Sequence, residues 1–231
     1  MAFSPTLDNL QDLIHITAEL DDNTPTSSDT DYIVRTALLN KWIRNWEHEK
    51  GMFWNELWAE GSITSTGATS YVLSSSGITD FRFAGGYIYA TSTDGGSYWI
   101  PIKKLEDVEL LKNESKIYAY FTGDHANGWT IRFNPNTYPG SGDTIKIPYY
   151  KVATQLTTGT DKTEIADPDY LVHGVLSDIL SQEDPGEADR HFQLAQDKMS
   201  GMKVRNILPP WFHPGAIEDR DSKINRFSFG S

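Results

Sequence analysis

The chain has 231 residues, of which 38% are hydrophobic and 23% are charged, and it contains no cysteine. This length and composition indicate a globular protein with one large or two small domains, and the missing cysteine excludes disulfides, thiolate nucleophiles and cysteine-bearing metal sites. The formal net charge of −12 disfavours a basic surface that grips DNA. We find neither the roughly 20 consecutive apolar residues of a membrane helix nor a signal peptide, and therefore expect a soluble protein of a reducing compartment with no membrane partner.

The N-terminal segment predicts two helices. Ser4-Pro5 is typical of an N-cap followed by proline at the first helical position, and apolar residues at helical spacing predict a helix over 5–20. Ser28 or Asp29 can cap a second helix, which we expect to end at Gly51. The candidates for the buried side of this helix include Ile33, Ala37, Trp42 and Trp46.

Between Trp58 and Lys151 the hydrophobic period falls toward two, which indicates strands. Eleven of the 18 glycines lie in residues 57–151, and Gly85-Gly86 and Asp94-Gly95-Gly96 are typical of hairpin turns. A single helix-like segment covers 102–111. We expect an antiparallel β-module, either a sandwich or a small barrel.

The helical period then returns in two segments. Asp167-Pro168 predicts the start of one helix and Asp184-Pro185-Gly186 that of the next. The apolar stripe of the first comprises Leu171, Val172, Val175, Leu176, Ile179 and Leu180. The buried seam of the second comprises Ala188, Phe192, Ala195, Met199 and Met202. After Arg205 the chain is rich in proline and aromatic residues, and no packed element is predicted there.

These patterns predict an α+β protein in which one helical domain carries an insertion. Residues 1–56 and 152–202, with net charges of −6 and −7, form the discontinuous helical bundle domain. Residues 57–151, with a net charge of −1, form the inserted antiparallel β-domain, a sandwich or barrel. Residues 203–231, with a net charge of +2, form an extended C-terminal tail. Insertions of this length are tolerated because loop closure costs little per added residue.

A search for catalytic chemistry finds none. Nucleophile elbows, phosphate-binding glycine loops and zinc-binding histidine motifs are missing, and no two of the six histidines are four residues apart. We interpret His173, near an apolar stripe, as a hydrogen-bonded structural residue. The sequence therefore predicts no catalytic residue, no metal site and no cofactor.

Two groups of aromatic residues carry alternative interpretations. Trp42, Trp46, Trp54 and Trp58 form i,i+4 pairs that favour core or interface packing over a stacking platform. Near the glycine turns lie Tyr87, Tyr89, Tyr98 and Trp99, which fit either carbohydrate stacking or ordinary cross-strand pairing.

The segment from Asp143 to Arg205 resembles a known family. It contains Ile145-Lys146-Ile147-Pro148-Tyr149-Tyr150, Leu156-Thr157, Asp161, Asp167-Pro168, Leu171-Val172-His173-Gly174 and the helix from Ala188 to Met202. This succession resembles the head-to-tail adaptor (connector) proteins of tailed bacteriophages. The same pattern fits the first helix, the second helix with Asn40 and Trp46, and the aromatic segment that follows it near Trp58. The β-insert is similar to that of tail-tubular-type adaptors of short-tailed phages.

The resemblance implies a non-enzymatic structural protein of the virion. Such adaptors form a ring, generally a dodecamer, in the neck between capsid and tail, where they bind the portal protein and tail or nozzle proteins and form part of the DNA channel. Assembly in the host cytoplasm, contacts with fibre proteins and no sequence-specific nucleic-acid binding are further expectations. We expect the tail to order on portal or on a neighbouring subunit, with docking residues Trp211, Phe212, Arg220, Lys223, Arg226, Phe227 and Phe229.

Two other functions stay open at this point. One is a different virion component, such as a tail-completion or fibre-anchoring protein. The other is a carbohydrate-binding protein, which rests on the aromatic β-block alone and would be favoured if substituting Trp99 or Trp129 abolished glycan binding.

Overall fold

The computed structural model of the protein describes residues 5–18, 24–111, 115–124 and 126–206. Over these residues it is an α+β structure with five α-helices and two antiparallel sheets. The helices are α1 (Leu7–Thr17), α2 (Thr30–Glu47), α3 (Leu105–Leu111), α4 (Asp169–Leu180) and α5 (Pro185–Arg205). The strands are β1 (Trp58–Thr64), β2 (Ser70–Val72), β3 (Phe81–Ala84), β4 (Tyr87–Thr91), β5 (Ser97–Pro101), β6 (Ala119–Asp124), β7 (Gly128–Phe133) and β8 (Thr144–Lys151).

The described chain divides into two compact units. The residues before Trp58 and those from Ala153 onward form a helical unit, which holds α1, α2, α4 and α5. Residues Trp58–Val152 form a β-unit, which holds the eight strands and α3. None of the helices within the described ranges is both long enough and apolar enough to cross a membrane.

The first helix begins later than the sequence predicts. Its N-cap is Thr6, whose hydroxyl accepts a hydrogen bond from the Asn9 amide while the Asn9 side chain accepts from the Thr6 amide. This reciprocal capping satisfies the backbone amides of Thr6 and Asn9, and the prediction that the helix begins at Pro5 is wrong. The predicted N-cap, Ser4, lies outside the described residues.

The second helix buries a different face from the predicted one. Trp42 and Trp46 are buried as expected, but Ile33 is 60% exposed and Ala37 is also exposed. The buried face carries Tyr32, Arg35, Leu39, Trp42, Ile43, Trp46 and Glu47. Because Arg35 and Glu47 are charged, the spacing of apolar residues in the sequence does not identify this face as the buried one. The helix also ends at Glu47 rather than at Gly51.

Two helices near the C-terminus pack against each other and complete the helical unit. Asp184 caps α5 by accepting a hydrogen bond from the Glu187 amide, with Pro185 in the first turn, as predicted. Pro168 rather than Asp167 is the N-cap of α4. The α5 helix continues to Arg205, so residues 203–205 of the predicted tail are helical.

The apolar predictions for these two helices hold for eight of the eleven residues, and Leu180 of α4 is only half-buried. Leu171, Val172, Val175 and Leu176 are buried on α4, and Ala188, Ala195, Met199 and Met202 are buried on α5. Ile179 and Phe192 are exposed, and His191 occupies a buried position beside Phe192 on α5.

The β-unit contains two antiparallel sheets. One has the order β1-β8-β4-β5, with β3 also paired to β8, and the other has the order β2-β7-β6. Ile131 and Phe133 of β7 and Ile145, Ile147 and Tyr149 of β8 are buried, as their alternation predicts. Neither sheet closes into a barrel over the described residues, so the barrel alternative is wrong.

One predicted hairpin is a broken strand instead. Asp94-Gly95-Gly96 does turn β4 into β5, with Thr91 opposite Ser97. In contrast, β3 and β4 on either side of Gly85-Gly86 both pair with β8, at Tyr149–Lys151 and at Thr144–Lys146 respectively. The glycine pair therefore interrupts one long edge along β8, where the Gly85 amide donates to the Pro148 carbonyl at 2.8 Å.

Candidate functional site

The predicted docking residues belong to the C-terminal segment after Asn206. Trp211, Phe212, Arg220, Lys223, Arg226, Phe227 and Phe229 all lie outside the described residues. The candidate sites below come from exposed apolar surface, grooves and paired ionisable groups among the residues that the structure describes.

A groove of about 440 Å³ opens on the helical unit beside the first half of α2. We call it the α2 groove, and its lining consists of Ser27, Tyr32, Ile33, Thr36, Thr157, Thr158 and Gly159. The exposed Ile33 side chain is its largest solvent-facing apolar group. At its edge the Tyr32 hydroxyl donates to Asp8 at 2.8 Å, and burial, followed by this hydrogen bond, raises the pKa of Tyr32 to about 12.

The wall of the α2 groove formed by residues 157–159 is held by Asp161. Its carboxylate accepts hydrogen bonds from the amides and hydroxyls of both Thr157 and Thr158 at 2.7 to 2.8 Å. The Thr158 and Thr157 amides, followed by the two hydroxyls, hold the pKa of Asp161 far below its ordinary value. The Asp161 and Gly159 carbonyls accept from the Leu7 and Asp8 amides, which joins this wall to α1.

Asn40 fixes the same segment to α2. Its side chain donates to the Leu156 carbonyl and accepts from the Leu156 amide, both at 2.8 Å. One and two turns earlier on α2, the Gln11 side chain of α1 donates to the Thr36 hydroxyl and to the Tyr32 carbonyl. The groove is therefore a fixed surface, because polar contacts join α2 both to the segment at Leu156 and to α1.

Two further apolar side chains are exposed on α4 and α5, where Ile179 is 38% and Phe192 is 43% exposed. The Phe192 ring lies 6.3 Å from the ring of Trp42. Ile33 precedes Trp42 by nine residues on α2, which corresponds to about 14 Å along that helix. Ile33 and Phe192 are therefore exposed at separate places on the helical unit.

The β-unit presents an aromatic face around Trp99, which is 65% exposed. The Trp99 ring lies 5.2 Å from Tyr89 and 6.2 Å from Tyr87, both on the neighbouring strand β4. The Tyr89 hydroxyl donates to Glu60, which also pairs with Lys146 at 3.1 Å. The hydrogen bond from Tyr89 lowers the pKa of Glu60, with a smaller contribution from Lys146.

Two aromatic residues considered for sugar stacking lie elsewhere. Tyr98 packs against the core cluster and its hydroxyl donates to Asp143 at 2.9 Å. Trp129 also packs against this cluster, 5.6 Å from Phe81. In the helical unit Trp42, Trp46 and Trp54 are buried, which confirms their interpretation as core residues.

The structure also brings together two histidines that sequence spacing does not connect. Nδ1 of His173 on α4 lies 3.1 Å from Nδ1 of His191 on α5. The hydrogen bond agrees with the prediction for His173, but its partner is 18 residues away, so only the packing of two antiparallel helices reveals it. Within the described ranges, no three possible metal ligands cluster.

No protein-family model matches the chain, and no curated protein matches it by sequence.

Proposed function

We propose that this chain is a non-enzymatic structural protein of a tailed-bacteriophage virion, the adaptor ring that joins the portal of the capsid to the tail. The resemblance of residues 5–60 and 143–205 to head-to-tail adaptors motivates the proposal. In it, the helical unit forms the wall of a dodecameric ring in the neck, and the ring encloses part of the DNA channel.

The observation that carries the proposal is that the helical unit exposes apolar side chains at two separate places. A closed ring uses head-to-tail contacts, in which one surface of each subunit meets a different surface of the next. We propose that the α2 groove with Ile33 supplies one side of this contact and that the region around Phe192 supplies the other.

The charge distribution supports a channel role. Residues 1–56 and 152–202 carry net charges of −6 and −7. An acidic wall repels DNA phosphates, so DNA passes along it without being retained.

The β-unit is proposed as a sandwich inserted into the helical bundle. Its hydrophobic cluster draws on both sheets, with Ile88, Ile145 and Ile147 from one and Ile131 and Phe133 from the other. We propose that it contacts tail or nozzle proteins, or fibre proteins, while residues 207–231 dock on portal through the aromatic and basic residues named above.

Electron microscopy of the full chain, alone and mixed with purified portal protein, tests this function. The expected result is a ring stacked coaxially on the portal, and a chain that ends at Asn206 should lose portal binding. A chain that stays monomeric with portal, or that binds a different tail component, would overturn the adaptor role.

The exposed Trp99 favours carbohydrate binding as a second candidate function. An accessible indole flanked by Tyr87 and Tyr89 can stack on a sugar ring, and Glu60 and Lys146 lie beside Tyr89 as hydrogen-bonding groups. On a glycan array, Trp99→Ala should abolish any binding, whereas Tyr138→Ala, which removes another exposed aromatic ring of the β-unit, should not. If the unsubstituted chain binds no glycan, this candidate fails.

A further inference from the structure

The contact between His173 and His191 imposes a condition on their protons. The two Nδ1 atoms are 3.1 Å apart, with the ring planes tilted by 33°. A hydrogen bond between imidazole nitrogens needs one N–H donor and one lone-pair acceptor. One ring must therefore carry a proton on Nδ1 while the other does not, and a pair of doubly protonated rings has no acceptor between them.

The surroundings of the pair oppose its charged forms. His191 is only 7% exposed, and burial lowers the pKa of both imidazoles below the ordinary value of 6.5. A charge on His191 lowers the pKa of His173 further, and Lys198 and Arg190 on α5 act in the same direction.

Two carboxylates act in the opposite direction, and both are occupied by other partners. Asp169 on α4 raises the pKa of His173 but also binds Lys198 at 2.6 Å. Glu187 on α5 raises the pKa of His191 but also binds Arg190 at 2.8 Å.

The neighbouring helices bring charged groups that are bonded elsewhere. From α2, which packs on α4, Lys41 binds Asp178 at 2.7 Å. From α1, which also packs on α4, Asp8 accepts from Tyr32.

We propose that His173 and His191 form a pH-sensitive contact between α4 and α5. The contact holds the two helices together while at most one of the two imidazoles is positively charged, and it weakens when both imidazoles are positively charged. The inference does not depend on the adaptor role. It assigns a function to two side chains that the proposed function leaves unused.

The direction of the pH effect follows from proton counting. Because both imidazoles have a lower pKa in the folded protein, the unfolded chain binds more protons than the folded chain as the pH falls below about 6.5. The stabilising contribution is complete above that pH and is lost below it. Each excess proton changes the unfolding equilibrium constant about tenfold per pH unit.

Urea unfolding of the full chain between pH 7.5 and pH 5 tests the proposal. In His191→Asn the amide nitrogen lies near the former Nδ1 position but does not titrate. As the pH falls, the unfolding constant of this variant should therefore increase less steeply than that of the unsubstituted chain, by a factor of up to about ten per pH unit. Gln193→Asn, at an exposed position of α5 that does not titrate, should follow the unsubstituted chain. A His191→Asn profile that coincides with the unsubstituted one would overturn the proposal.

A measurement on the unsubstituted chain keeps the test decisive if His191→Asn fails to fold. Nitrogen NMR of the imidazoles at pH 7.5 should find one ring of the pair protonated on Nδ1 and the other on Nε2. Both rings should then titrate below 6.5 and broaden together. Two rings in the same tautomer, titrating independently near 6.5, would contradict the proposal.

Discussion

At the scale of single residues, Gly174 determines how closely two helices approach. A Cβ on this residue of α4 would lie 2.4 Å from the ring of Trp42 on α2. The ring is fixed from two further sides, since its Nε1 donates to Asp178 at 2.9 Å and Tyr170 meets it edge-on at 5.5 Å. Glycine inside a helix costs about 1 kcal/mol relative to alanine, and here it leaves the space that the indole fills.

Gly174→Ala should therefore destabilise the helical unit. Overpacking of a filled core costs about 1–3 kcal/mol, and the better helix propensity of alanine returns about 1 kcal/mol. We expect the free energy of unfolding, measured by urea denaturation, to fall by up to about 2 kcal/mol. Gly201→Ala on α5 is the matched control, because no atom lies within 4 Å of its Cβ, and it should be neutral or stabilising by up to about 1 kcal/mol. Equal stabilities of the two variants would contradict the packing argument.

At the scale of elements, periodicity predicts which elements form but not always what they face. The helical stripes of α4 and α5 and the alternation of β7 and β8 are local properties, and the structure confirms them except at Ile179, Leu180 and Phe192. The buried face of α2 is not local, because Ile33 is solvent-exposed while Arg35 is buried. Gly85-Gly86 fits a hairpin locally, yet the strands on both sides pair with β8, some 60 residues later.

The candidate sites were less accessible to sequence reasoning than the elements. The sequence indicates Trp99 as a candidate stacking residue, and its indole is exposed in the structure. The α2 groove combines residues 27–36 with 157–159, and no motif connects segments so far apart. The same holds for His173 and His191, which meet only because α4 and α5 pack together.

Asp161 organises the loop that forms one wall of the α2 groove, and its ionisation should make this loop acid-sensitive. Since its pKa is lowered in the folded protein, its carboxylate stabilises the fold at pH values above the ordinary 3.8, and this contribution is lost as the pH falls below it. Asp161→Asn removes the titrating group. Urea unfolding between pH 5 and pH 2.5 should show a pH slope smaller by up to about one proton in this variant. Identical slopes would contradict the role assigned to Asp161.

At the scale of the whole molecule, the ring proposal requires that subunit contacts depend on exposed side chains that the monomer does not need. Ile33 meets this condition, because it is 60% exposed at the groove. Leu105, the first residue of α3, is 61% exposed in the β-unit and provides a comparison of similar size.

Ile33→Asp should prevent ring formation without unfolding the chain. A carboxylate placed in an apolar subunit contact must be desolvated, which opposes assembly, whereas exposed substitutions change stability by about 0.5 kcal/mol or less. Sedimentation velocity in the presence of portal should show monomers for Ile33→Asp and rings for Leu105→Asp. Rings of Ile33→Asp would remove the α2 groove from the subunit contact.

The position of β8 in its sheet constrains the order in which the chain can fold during synthesis. As the last strand of the β-unit it pairs with β1, β3 and β4, so the five-stranded sheet cannot close before residue 151 has left the ribosome. The helical unit completes its packing later than the sheet does, because α1 and α2 pack on α4, which is synthesised after β8. Both units therefore depend on pairing between distant segments, which slows folding. Through most of translation α1 and α2 lack the packing surface of α4. A ribosome stalled before α4 should carry a nascent chain whose N-terminal helices are cleaved readily by protease.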